Sequence, residues 1–163
     1  MTTAPRFYEE GLGLLKEHSE KFFSLNILKE DGTSEADNIA RALTALARRN
    51  DPASKQQKSE LEARLDVPPI PEEYEYAWAC FSDLQMTRGS NGFSANPISF
   101  LEIDAYIRLS GRVLLPHEIR AIKLIDSAYL SAQDKITRAA RNVKESAKKS
   151  DATPTPKRVS RRG

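Results

Sequence analysis

The stretch PPIPEEYEYAWACFSDLQMTRG, residues 68–89, decides the fold class of this chain. Pro68, Pro69 and Pro71 crowd three prolines into four positions and impose an extended approach to whatever follows. Pro71 suits a first helical position, and Glu72 and Glu73 complement the positive amino-terminal end of a helix dipole. Tyr74, Trp78, Phe81 and Leu84 or Gln85 then recur at steps of three and four, the spacing of one helix face. That face ends at Arg88-Gly89-Ser90-Asn91-Gly92, whose glycines and asparagine tolerate left-handed turns.

Downstream, NPISFLEIDAYIRLSG (residues 96–111) holds a Ser99-x-x-Glu102 capping box before Ile103, Tyr106 and Ile107, with Gly111 placed to terminate a short helix. In LLPHEIRAIKLIDSAYL (residues 114–130) Pro116 opens a last helix and Glu118 falls in its first turn. Ile122, Ile125, Tyr129, Ala132, Ile136, Ala139 and Val143 step alternately by three and four, which predicts a helix continuing to about Lys144 with a coiled-coil-like edge. Fewer than four heptads and two alanines give self-association little support. Beyond Ser150, DATPTPKRVSRRG has nothing to bury and reads as a disordered basic tail.

Upstream, Phe7, Leu14 or Leu15, Phe22 and Leu25 form an amphipathic pattern from Arg6 to about Leu25, against which Gly11 and Gly13 count. Asp31-Gly32 makes a turn, Ser34 followed by Asp37 resembles a capped helix start, and Ile39, Leu43 and Leu46 share one face. Asn50-Asp51-Pro52 stops that helix. Residues 53–66 are polar, with Leu61 and Leu65 as the large apolar anchors, so the segment is a poorly buried helix or a linker. No window alternates as a strand. The expected fold is all-α, a small helical module with a long C-terminal helix and a disordered basic tail. Its expected parts are an amino-terminal helical region with polar connector (1–66), a helical core module (67–133) and a helical extension with the tail (134–163).

Composition narrows the classes. With 39% hydrophobic residues in 163, the chain can bury one modest core. No apolar run approaches the roughly 20 residues that cross a bilayer, and the amino terminus lacks a charged start followed by an apolar stretch, so a soluble intracellular protein without a membrane partner is expected. Cys80 is the single cysteine, which excludes an intrachain disulfide and a thiolate zinc site. The net charge of +2 conceals an asymmetry: residues 131–163 hold ten Lys or Arg against three Asp or Glu, leaving fifteen against twenty before them. A basic tail attracts any acidic partner, because such attraction is long-ranged and unselective.

Chemistry is sparse. His18 and His117 stand about 100 positions apart without partners for a metal or a triad. Helix dipole and capping account for Glu72-Glu73 and for Glu102 near Asp104. The 88–92 loop lacks the GxxxxGK[ST] spacing of a phosphate cradle, and Asp31-Gly32-Thr33-Ser34 offers too few oxygens for calcium. No catalytic, cofactor or metal site is expected, and no enzyme. Residues 98–130 also have the outline of a helix-turn-helix, with His117, Arg120 and Lys123 as DNA contacts. Glu102, Asp104, Glu118 and Asp126 on the same pair of helices oppose a polyanion, so nucleic acid is the disfavoured alternative, made through this hairpin and the basic tail.

Taken as an ordered pattern, residues 71–130 resemble a tail assembly chaperone of long-tailed bacteriophages and prophages. The pattern runs Pro71-Glu72-x-x-Glu75-Tyr76, Trp78-x-x-Phe81-x-x-Leu84, Arg88 and Gly92, then Asn96-Pro97-Ile98-Ser99, Ile103-x-x-Tyr106, Gly111-x-x-Leu114, Glu118 and Leu124-x-Asp126-x-x-Tyr129-Leu130. The resemblance implies a small helical protein that binds the long tape measure protein and keeps it soluble while tail tube subunits polymerise around it. It also implies action in the host cytoplasm, absence from the mature virion and, in many members, a second, longer product made by ribosomal frameshifting that recruits tube subunits. It assigns no role to the first 65 residues.

A chaperone of this kind needs exposed apolar surface and enough charge to stay soluble. On those grounds the candidate contact residues are Tyr74, Trp78, Phe81 and Arg88 on the Trp helix, and Tyr129, Ile136 and Val143 on the seam. Aromatic residues at helical spacing are more often core than interface, but the seam beyond Leu130 has no intrachain partner visible in the sequence. Lys148, Lys149, Lys157, Arg158, Arg161 and Arg162 are the candidate basic contacts with acidic stretches of the partner.

Overall fold

The computed structural model describes residues 4–92 and 94–151, with side chains placed between Tyr8 and Ser146. Six α-helices follow one another: α1 (Ala4–Asn26), α2 (Glu35–Leu46), α3 (Pro52–Leu65), α4 (Glu75–Met86), α5 (Phe100–Ser110) and α6 (Pro116–Asp151). A 3-10 turn, Glu72–Tyr74, leads into α4, so the helix proper begins four residues after Pro71. The all-α expectation holds, with one isolated bridge between Ser90 and Ala95 as the β-like pairing among the described residues. No described helix is long and apolar enough to cross a membrane.

Local chemistry sets the helix ends. Ser34 with Asp37 and Ser99 with Glu102 both form reciprocal capping boxes, each serine oxygen accepting the third amide and each carboxylate accepting the serine amide. Those backbone and hydroxyl donors hold the Asp37 and Glu102 carboxyls below the usual carboxylate range. Asp51 caps α3 by accepting from the Ser54 amide, with Pro52 at the first turn, so the polar 53–66 segment is a helix and not a linker. It has no apolar stripe. Arg64 holds it to Glu35 of α2 at 2.7 Å, an exposed contact worth at most about 1 kcal/mol. Gly111 closes α5 at φ +66°, a left-handed position that glycine adopts without strain.

Helices α1 and α4 both pack on α6, α5 leans on α4, and the α2–α3 hairpin rests against α1. Leu15 and Phe23 of α1 join Tyr74, Ala77, Phe81, Ile98, Ile103, Ile122, Ile125 and Ala128 in a single core. The expected boundary at 66/67 therefore does not divide the core. Helix α1 is one of its walls, because α4 and α6 alone leave an apolar trough open to water. Of Leu14 and Leu15, left open by the periodicity, Leu15 is the buried one and Leu14 is exposed, while Phe23 lies deeper than the expected Phe22. Phe7 falls outside the described side chains. Leu25, Ile39 and Leu46 are also buried, outside that main cluster.

The described residues between 87 and 99 are irregular and pinned by charge. Arg88 Nη2 meets Asp126 Oδ1 of α6 at 2.5 Å, with the two side chains 5% and 2% exposed. Arg88 also donates from Nη1 to the Asn96 carbonyl at 2.6 Å and from Nε to Gln85 Oε1 at 2.8 Å, and its guanidinium stands 4.7 Å over the Tyr129 ring. The second Asp126 oxygen accepts the Ile98 amide at 3.0 Å. Lys123 adds a bond to the Ile98 carbonyl and lies 3.8 Å from Asp126. One carboxylate thus ties the end of α4, the approach to α5 and the middle of α6.

Replacing Asp126 by Asn leaves the buried guanidinium without its counter-charge and is expected to cost about 3–5 kcal/mol in urea unfolding. A loss below about 1 kcal/mol would show that the pair is dispensable. The glycines of α1 give a second test. A Cβ on Gly11 would stand 2.9 Å from Cε2 of the fully buried Tyr74 ring and 2.1 Å from Glu73 Oε1, whereas one on Gly13 meets nothing within 4 Å. Glu73 can swing aside but the ring cannot, since its hydroxyl donates to the Tyr8 carbonyl at 2.9 Å. Gly11→Ala is expected to destabilise by about 1–3 kcal/mol and Gly13→Ala to stabilise by up to about 1 kcal/mol, both read from thermal and urea melts.

Candidate functional site

The aromatic face of α4 points inward. Tyr74 and Phe81 are core residues, and Trp78 is half-buried in a cage of rings: edge-on to His18 at 4.8 Å and to Phe22 at 5.3 Å, and stacked on Phe23 at 5.7 Å. Tyr129 is likewise half-buried, edge-on to Phe23 at 5.3 Å. All four were candidate partner contacts. With α1 in place that reading is corrected for Tyr74 and Phe81, which are closed to any partner, and Trp78 and Tyr129 keep little free surface, because α1 supplies from within the chain the rings that a partner was expected to bring. Arg88 is corrected for a different reason: its donors are committed to Asp126, Asn96 and Gln85 inside the fold.

Farther along α6, Ile136 and Val143 come together. With Ala139, Ala140 and Lys144 they face Lys29, Glu30 and Asp31 of the α1–α2 loop across an apolar cleft of about 380 Å³. Lys144 closes one end on Glu30 at 2.6 Å. The seam therefore has an intrachain neighbour on one side, while Val143 remains 70% exposed. Of the basic candidates, the side chains of Lys148 and Lys149 and all of Lys157, Arg158, Arg161 and Arg162 lie outside the described residues, as does the expected disordered tail.

The residues offered as DNA contacts are partly consumed. His117 stands 4.3 Å from the Tyr8 ring and 6.2 Å from the Tyr74 ring, and Lys123 is bonded to the Ile98 carbonyl. Arg120 alone of the three is exposed. His18 is buried, its Nδ1 donating to the Pro68 carbonyl at 2.5 Å, since a proline carbonyl can only accept.

A different surface emerges at α5. Ile103, Tyr106 and Ile107 face the protein, and the opposite side carries Leu101 and Leu109, 80% and 88% exposed, with Ala105 between them. Phe100, Val113 and Leu115 extend this exposed apolar set at both ends of the helix. Asp104 and Arg108 pair at 3.0 Å beside it and keep charge at its edge. The sequence reading counted only the inward face of FLEIDAYIRLS. The signal that could have exposed the other was the pair of leucines eight residues apart, 101 and 109, with Ala105 midway, on a helix already holding an isoleucine face.

The inner side of α5 is fixed by a polar cluster. Tyr106 donates to Asp83 at 2.6 Å, and Arg112 reaches Asp83 at 3.1 Å and the buried Cys80 Sγ at 3.5 Å. Burial first, then the hydrogen bond to Asp83, pushes the Tyr106 hydroxyl well above its ordinary range, so it remains a donor. The outer face is thereby presented on a rigid support. That outer side carries exposed apolar side chains interspersed with the Asp104–Arg108 pair.

Residues 54–131 match a family model described as phage tail assembly chaperone. No curated protein and no solved structure matches the chain. The match begins in α3 and ends within α6, so it spans the Arg88–Asp126 network and the whole of α5 but neither α1 nor α2. That stretch contains the ordered pattern of residues 71–130, and the match agrees with the resemblance of this part of the chain to phage tail assembly chaperones.

Proposed function

We propose that this protein is a non-enzymatic holdase for the tape measure protein, and that the outer face of α5 is its principal client surface. The observation that carries the reading is the exposed set Phe100, Leu101, Leu109 and Val113 on the part of the chain that matches the family. A client with long amphipathic helices aggregates through its apolar stripes, and a shallow apolar helix face covers such a stripe without demanding one register. The Asp104–Arg108 pair and the acidic balance of the first 130 residues keep the complex in solution. Recruitment of tail tube subunits is assigned to the part of α6 beyond the body, with Val143 exposed near its end, together with the basic segment that follows. Action in the host cytoplasm and release before the virion is complete belong to the same proposal. The DNA-binding alternative loses support from the internal use of Lys123 and His117.

Co-expression with the tape measure protein of the same phage, followed by pull-down, tests the reading. Wild type is expected to retain the client in the soluble fraction. Leu101→Glu with Leu109→Glu is expected to lower capture at least about tenfold, since each side chain forfeits about 1.5–3 kcal/mol of burial in the complex. Both positions are more than three-quarters exposed, so the melting of the free protein should shift by no more than about 0.5 kcal/mol equivalent. Undiminished capture by the double variant removes α5 from the interface, and no capture by wild type removes the client.

A further inference from the structure

We infer that the trough between α4 and α6 is a second helix-binding site and that α1 is its exchangeable occupant, a seat that an amphipathic client helix takes with leucine and phenylalanine at the same spacing. The identity of that client rests on the proposed function above. The exchange of the helix does not.

Three observations carry the inference. The part of the chain that matches the family includes both walls of the trough, α4 and the first half of α6, yet it excludes the helix that fills it. The filling is made by apolar side chains, Leu15 and Phe23 with Tyr8, Leu12 and Phe22 beside them, and among the described polar ties are the Tyr74 hydroxyl to the Tyr8 carbonyl and His18 Nδ1 to the Pro68 carbonyl. Contacts of that kind recognise a pattern and not a sequence.

The fit of α1 is also incomplete. His18 Nε2 is buried without a hydrogen-bond partner, in a side chain 7% exposed. A cleft of about 210 Å³ remains between Glu20 and Ser24 of α1 and Ala128, Ala132 and Ile136 of α6, where larger apolar side chains would pack. Gly13, where a Cβ would meet nothing within 4 Å, lowers the intrinsic stability of the helix itself by about 1 kcal/mol relative to alanine, whereas a client helix must match Gly11 with a small residue to pass the Tyr74 ring. A client helix lacking these defects displaces α1 while the α1–α2 loop keeps it tethered nearby.

The test uses the full-length chain and a fluorescent peptide of residues 4–26 as probe, read by anisotropy. Ser24 and Ser131, which line the same α1–α6 cleft, are changed to cysteine and joined by a short bismaleimide, with Cys80 buried out of reach. The linked chain is expected not to bind the peptide, the unlinked chain to bind it weakly, and Phe23→Ala to bind it about tenfold more tightly because the competing helix is weakened. Equal binding by linked and unlinked chains, or binding by none, overturns the inference. Should Phe23→Ala fail to fold, hydrogen exchange decides between linked and unlinked protein: α1 amides exchange ahead of those of α4 and α6 only in the unlinked form. Exchange of all three together in the unlinked form overturns the inference as well. In a parallel arm, cross-linking is expected to reduce tape measure capture. A tape measure protein that binds no form of the chain refutes the client reading while the peptide result stands on its own.

Discussion

Everything around the apolar surfaces of this protein depends on one buried ion pair. Arg88 and Asp126 sit on segments 38 residues apart, and the carboxylate also accepts the Ile98 amide that begins the approach to α5. A buried pair of this kind is weak evidence for net stability, because desolvating two charges offsets most of their attraction. Its effect is geometric. Neither charge is tolerable alone in that position, so α4, the 87–99 segment and α6 hold the one arrangement that satisfies both. Arg88 and Tyr129, read from the sequence as candidate contacts, and Asn96 and Asp126, members of the same ordered pattern, are parts of one constraint.

That constraint decides which apolar groups face inward. With α4 held against α6, the Tyr74, Trp78 and Phe81 face meets Phe22 and Phe23 of α1 and becomes core. With α5 held at its start by Ile98 and along its length by Tyr106 and Asp83, its second side, with Leu101 and Leu109, is covered by no element among the described residues. The same chain thus closes its aromatic surface and leaves an aliphatic one open. The larger rings are enclosed, and the exposed leucines share their helix with the Asp104–Arg108 pair.

The proposed role asks for weak selectivity, and both apolar surfaces suit it in different ways. The face of α5 is shallow and always available. The α4–α6 trough is deep and already occupied by a helix whose packing includes a partnerless imidazole nitrogen and a cleft. A client that uses the first needs no rearrangement, and one that uses the second must compete with a tethered segment of the same chain, which raises its apparent dissociation constant by the reciprocal of the open fraction.

Most helix ends were legible in the sequence alone, because the forces that set them act over three or four residues, the exception being Pro71, after which a 3-10 turn delays α4 to Glu75. Ser34 with Asp37, Ser99 with Glu102, Gly111 and Pro116 are boundaries in the structure as in the reading. The absence of a stripe on 53–66 left helix or linker open, and Asp51 with Ser54 closed it in favour of a helix. What covers each face was decided only by the tertiary structure. Periodicity marks a surface that avoids water but carries no information about the partner, so Tyr74 and Phe81 read as candidate contacts, and α1 read as a region apart. The core, the Arg88–Asp126 pair and the open face of α5 all depend on contacts between residues tens of positions apart, and such contacts exist only after the helices have chosen their neighbours.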